Sequence, residues 1–66
     1  MSVAKIIEIS SISKKSFEDA IAKGVERASE TVSGIQTAWV QDMEVGVEKG
    51  KIKEYRVKMR VTFVLN

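Results

Sequence analysis

The sequence predicts an α+β fold: a β-α-β-β subunit whose three strands form an antiparallel sheet of order 1-3-2, wrapped on one helix. Three observations predict it. The hydrophobic period runs from about two residues to about 3.6 and back to two along the chain. The changes of period fall beside the serine cluster "SSIS" and at Gly34. The chain of 66 residues, taken as one domain over residues 1–66, is long enough for this one unit and for little interior.

The first strand is Val3 to Ser10, "VAKIIEIS", rich in isoleucine and closed by the serine cluster, which reads as a turn. Its apolar side chains fall on both faces, Val3, Ile7 and Ile9 on one and Ala4 and Ile6 on the other. A strand apolar on both sides is expected to be covered on both sides. From Ser13 the residues Phe17, Ile21, Gly24, Val25, Ala28 and Val32 follow the spacing of a single helix face. Ser13 is the expected N-cap, with Ser16 as a competing, later start. Gly34 supplies the stop, and Gly24 marks a close approach of helix to sheet.

Ile35 to Glu48 and Ile52 to Leu65 form a long hairpin about "EKGK", where Gly50 accepts positive φ. The last strand alternates cleanly, with Tyr55, Val57, Met59, Val61, Phe63 and Leu65 on one side and Arg56, Lys58, Arg60 and Thr62 on the other. In the middle strand the apolar parity changes between Val40 and Met43. One inserted residue near Gln41 to Met43, a β-bulge, restores a single inward face. The helix crosses from the first strand to the second, and the third strand slots between them. With the bulge in place, Trp39 lies opposite Arg60 and Thr37 opposite Thr62, on the sheet face that the helix leaves bare. That face also carries Glu44, Arg56, Lys58 and one apolar side of the first strand, a mixture expected of a subunit interface; Trp39, Arg56, Lys58 and Arg60 are its candidate interface residues.

A chain this short buries only about 60% of its unfolded surface and needs a further support. It has no Cys, so disulfides are excluded, and no His, which removes most transition-metal sites. Association with copies of itself is left. Catalysis is disfavoured for the same reason, because the commonest general base and the strongest nucleophile are missing. Eleven Lys and Arg against nine Asp and Glu give a formal charge of +2, too small to argue for nucleic acid or an anionic membrane. The basic run "KGKIKEYRVKMR" puts Tyr55 on the apolar face, away from Arg56, Lys58 and Arg60, so the interleaving of aromatic and cation that a phosphate backbone asks for fails. No apolar run approaches the roughly 20 residues that span a bilayer. The opening "MSVAKIIEIS" is too short and too charged for a signal peptide, and a cytoplasmic location is expected.

The pieces "S-x-x-S-F" at Ser13 to Phe17, "R-A-x-x-T-V" at Arg27 to Val32, "Y-R-V" at Tyr55 to Val57 and "V-T-F" at Val61 to Phe63, in this order and at these separations, resemble the dodecin family over nearly the whole chain. The resemblance implies a hollow homododecamer that stores flavin (riboflavin, FMN or FAD), with ligands stacked in pairs between indoles of symmetry-related subunits and a glutamine on the ring. Matching the family's "W-x-E-V" to Val40 places its tryptophan at Thr37 and its glutamate at Trp39, and the glutamine of its "Y-Q" falls on Arg56. Both flavin-contacting residues are therefore changed here. Trp39 projects from the same face as Thr37, about 6 to 7 Å along the strand, and a flat π surface there still suits an aromatic ligand. The candidate ligand-binding residues are Thr37, Trp39, Gln41 and Arg56. Arg56 is suited to a flavin carbonyl or phosphate, or alternatively to pairing with Glu44. The alternative to flavin storage is a shell that has lost flavin and acts as a scaffold or binds calcium, for which Asp42, Glu44 and Glu48 are weak ligand candidates without an EF-hand spacing.

Overall fold

The structure, a computed structural model, describes residues 3–65. Strand β3, Lys51–Leu65, is the axis of the sheet, because its strict alternation gives it one fully apolar side. It pairs antiparallel with β1, Val3–Ser13, on one edge and with β2, Ile35–Glu48, on the other, giving the order β1-β3-β2. Helix α1, Phe17–Ser29, lies on one face of this sheet. The fold expected from the sequence is the fold observed.

Beneath the helix Val57 and Met59 of β3 cluster with Ala20, and Val61 and Ala28 are buried as well. Phe17, Ile21, Val25, Ile9, Ala38 and Val40 close the rim of this cluster. Phe17 also stands edge-on to Tyr55, ring centroids 5.1 Å apart and planes at 78°, a favoured aromatic geometry. Gly24 is where the helix comes nearest. A Cβ there would lie 2.7 Å from Met59 Cε and 3.0 Å from Ser11 Cβ.

Two expectations are corrected at the β1–α1 junction. The strand runs on through "SSIS" to Ser13 instead of turning after Ser10, and Ser13 pairs with Tyr55 at its end. The reason is the tight approach at Gly24, which leaves room for a serine and no more on the strand below it. Ser13, being in the ladder, does not cap the helix; Ser16 does, accepting from the Asp19 amide at 3.0 Å. Ser13 instead braces the corner. Its Oγ accepts from the Lys15 amide at 2.9 Å and donates to Asp19 Oδ2 at 2.6 Å. The helix also ends earlier than its apolar spacing implied. It stops at Ser29, and the Thr31 and Val32 amides both return to the Ala28 carbonyl, at 3.2 and 3.0 Å. Gly34, at φ 78°, turns the chain into β2, and its carbonyl accepts from the Val64 amide at 3.2 Å.

The β2–β3 hairpin closes through Lys49 and Gly50, both at positive φ (53° and 78°), so β3 begins at Lys51, one residue before the expected Ile52. Two successive positive-φ residues suit the right-handed twist of the flanking strands. The hairpin projects beyond the helix, and the chain measures 51 × 19 × 14 Å. Met43, Val45, Val47 and Ile52 are left exposed on this overhang. Among the described residues no helix is long and apolar enough to cross a membrane.

Candidate functional site

The face of the sheet turned away from α1 is built as a series of cross-strand rungs. The first is Ile6, Thr62 and Thr37; the second is Glu8, Arg60 and Trp39. The third is Ser10, Lys58 and Asp42, and the fourth is Ile12, Arg56 and Glu44. The register of β2 slips between Val40 and Asp42, the bulge expected from the change of parity, and Gln41 is the residue left without a partner. Without that slip Trp39 and Glu44 would stand on opposite faces.

Trp39 is 63% exposed, and Ile6 and Ile12 at the β1 edge are exposed to a similar degree. Between these apolar groups the charges are paired, across strands for Arg60–Glu8 and Arg56–Glu44 and within β3 for Arg56–Glu54. Arg60 Nε lies 3.7 Å from Glu8 Oε2, and Arg56 lies 3.6 Å from Glu44 and 2.5 Å from Glu54. The hydrogen bond to Glu54, reinforced by the charges of Glu54 and Glu44, holds the Arg56 guanidinium even more firmly protonated than usual. Glu54 reaches Arg56 because its rung partner is Gly46, where a Cβ would meet Glu54 Cγ at 2.7 Å. A glycine inside a strand is the signal that could have pointed to this close packing, and the alternation of β3 puts Glu54 on the face of Arg56, two residues on; Glu8 had no counterpart signal in the sequence.

The structure brings Thr37, Trp39, Arg56, Lys58 and Arg60 onto one face, as the alternation implied. It also divides them. Arg60 is the direct neighbour of Trp39, whereas Arg56 lies two rungs away, about 13 Å along the strand. Half-buried Gln41 sits in the bulge between them. A groove of about 330 Å³ opens on the Arg56 side, lined by Ser10, Ile12, Asp42, Glu44, Arg56 and Lys58. Of the carboxylates considered for calcium, Asp42 and Glu44 share this groove while Glu48 is at the hairpin end, 3.4 Å from Lys53. Among the described residues no three carboxylates come together closely enough to hold a metal ion.

What the face offers chemically is a flat aromatic surface beside cations, with carboxylates already balanced by those cations. An isoalloxazine fits the Trp39 surface in character, since stacking asks for planarity and partial desolvation. The residues that would meet it are Trp39, Thr37 and Arg60, with Arg56 reachable only from a second copy or from the far end of a long ligand.

The dodecin family model matches residues 3–66 of the chain. Calcium dodecin of Mycobacterium tuberculosis is 38% identical over 63 residues, spanning 96% of this chain and 89% of that protein. Its crystal structure, described as a calcium-chelating antigen with a novel calcium-binding site, superposes with a TM-score of 0.84 at 39% identity, covering 98% of this chain and 93% of the other. A point mutant of the T. thermophilus dodecin superposes with a TM-score of 0.94 at 27% identity, covering 100% and 98%.

Proposed function

The chain belongs to the dodecin family, and we propose that it is a non-enzymatic binding and storage protein of the cytoplasm whose copies bury the bare sheet face against one another in a homododecamer, holding flavin beside Trp39. The observation that carries this reading is the exposure of Trp39 on a sheet face with Ile6 and Ile12 beside it. Burying one large apolar side chain contributes about 1.5 to 3 kcal/mol, and the isolated subunit withholds that from all three. Its own interior, centred on Ala20, Val57 and Met59, is small by comparison. A second copy supplies the missing cover, and a planar ligand wedged between two indoles completes it. Any redox chemistry belongs to the flavin; the chain supplies a stacking surface, a dry wall and neighbouring charge.

The test is optical. On mixing with FMN, the flavin's fluorescence and the Trp39 emission are both expected to be quenched, and unquenched flavin fluorescence with Trp39→Ala would tie the effect to this face. Unchanged emission from both partners would sink the flavin reading. For the assembly, Trp39→Ala is expected to lower oligomer stability or ligand affinity far more than Lys14→Ala, and equal effects would count against burial of this face.

A second reading is favoured by the identity to calcium dodecin. Asp42 and Glu44 lie on adjacent rungs, each opposite a cation, so a calcium site here would need carboxylates from two copies. Calcium would then raise the unfolding temperature of the assembly, and Asp42→Asn with Glu44→Gln would abolish the rise. A thermal shift that is the same with and without those two substitutions eliminates these residues as ligands.

A further inference from the structure

The two edges of the sheet differ. At one, β2 slips its register at three places; at the other, the eleven residues of β1 pair with β3 without a break. Among the described residues only β3 pairs with β1, so at alternate positions the backbone N–H and C=O of β1 point outward with no partner in the sheet. No proline or bulge blunts this edge. Beside it α1 overhangs a groove of about 370 Å³. No residue of β3 lines the groove, which puts it outside β1 and not beneath the core. Half-buried Ile7 and Ile9 form its floor, exposed Lys23 and Arg27 stand at its rim, and no carboxylate is among its lining residues. The two cations are tied only along their own segment, Lys23 to Asp19 at 3.5 Å and Arg27 to Glu30 at 2.9 Å. Pairs this open to water are worth little and exchange readily.

We propose that β1 accepts an extended acidic segment of another protein as a fourth strand, with carboxylates at alternate positions meeting Lys23 and Arg27. The spacing fits. Residues four apart on a helix have Cβ atoms about 5–6 Å from each other, and alternate residues of an extended strand, which look the same way, are roughly 6.5–7 Å apart. The helix keeps beside β1 from Gly24, packed on Ser11, to the end of the groove at Thr31, so the two cations are strung along the strand. Main-chain hydrogen bonds to the open edge supply the hold, and the cations supply the choice of partner. A second copy of this chain fits less well. In a continued sheet with both helices on one side, its β1 would turn Val3, Lys5, Ile7 and Ile9 toward the groove, and its β2 would turn Ala38, Val40, Met43 and Val45. Neither run holds a pair of carboxylates. The groove is on the helix side of the sheet, so burial of the bare face does not close it, and the proposal stands apart from the flavin reading.

The probe is an unlabelled seven-residue peptide in which two glutamates alternate with valines between terminal threonines, titrated calorimetrically into the assembled full-length protein. It is expected to bind and to slow hydrogen exchange at the outward amides of β1. A peptide of the same composition with the two glutamates adjacent, and the alternating peptide with its backbone amides methylated, are each expected to bind much more weakly, the first losing a charge contact and the second the ladder. Lys23→Gln together with Arg27→Gln is expected to weaken the alternating peptide about tenfold, and Lys14→Gln, outside the groove, to leave its affinity unchanged. These substitutions change exposed side chains, and size-exclusion elution at the position of the parent shows that the variants still assemble. Failure of the alternating peptide to bind, equal binding of either control peptide, or an affinity that survives the loss of both cations overturns the proposal. Outward β1 amides already protected in the protein alone would show the edge to be covered by a second copy, which overturns it as well.

Discussion

Replacing Gly24 with alanine sets two effects of opposite sign against each other at one atom. In an exposed helix interior the change would add about 1 kcal/mol, the propensity difference between the two residues. At this position the new methyl would lie 2.7 Å from Met59 Cε and 3.0 Å from Ser11 Cβ, with Ser11 Oγ at 3.3 Å. Met59 Cε is the end of a flexible side chain, but the residue is wholly buried and has no solvent to retreat into. Ser11 Cβ is fixed to the β1 backbone, so it yields only if the helix lifts. Overpacking of this kind costs about 1 to 3 kcal/mol. With a cost near the middle of that range the propensity gain is outweighed, and Gly24→Ala is expected to destabilise the protein by about 1 kcal/mol. Denaturant unfolding at one fixed protein concentration measures it, the concentration being held because assembly contributes to apparent stability. Adding Met59→Leu, which removes the atom in closest conflict, is expected to recover part of the loss and leave the part due to Ser11. A Gly24→Ala protein more stable than the parent would refute the claim that helix and sheet meet here without room for a methyl.

Other expectations follow from the caps and turns. Ser16→Ala removes the acceptor of the Asp19 amide and should cost about 1 kcal/mol in denaturant unfolding; no change would mean that the helix start is capped by another group. The Ser13 hydroxyl, more than the lysines nearby, holds the Asp19 carboxyl below its ordinary pKa. A depressed acid stabilises the fold above its unfolded-state value and loses that contribution as pH falls through the folded one. The stability gap between the parent and Ser13→Ala should accordingly narrow once pH drops below about 4, and a gap that widens in acid would contradict this. Lys49 holds φ at 53° before Gly50, a conformation asparagine tolerates better, so Lys49→Asn should stabilise the hairpin by about 0.5 kcal/mol in thermal unfolding. A loss of stability would show that Lys49 contributes something beyond its backbone.

Much of the fold could be read in the residues because the pleat has a period of two. Any lapse of phase, such as that between Val40 and Met43, is then visible as an error of one, and the bulge and the facing of Trp39 to Arg60 followed from it. The β1–α1 junction was harder for a physical reason. Serine favours turns and caps, and Ser13 and Ser16 both carry the N-cap chemistry, yet Ser11 and Ser13 are in the strand, Ser11 where only a small side chain fits under the helix. The helix end was overextended to Val32 because apolar spacing continues past Ser29, where the Thr31 and Val32 amides converge on the Ala28 carbonyl. At the candidate site, the face of each residue was legible and the distance between residues was not. Thr37, Trp39 and Arg56 share a side, but the separation of Trp39 from Arg56 and the part played by Gly46 depend on contacts between strands.

The unpaired Gln41 gives β2 something like a reading frame. From Thr37 to Val40 odd-numbered residues look away from the helix; from Asp42 to Gly46 even-numbered ones do. Shortening the strand by that one residue would put its two halves in conflict, forcing either Trp39 under the helix or Asp42 and Glu44 into the space beside Val57. Moving the aromatic by two positions, by contrast, leaves every residue on its own side of the pleat. A large ring can therefore drift along this strand in steps of two while the subunit around it stays the same, whereas a single-residue gain or loss there is a change of fold.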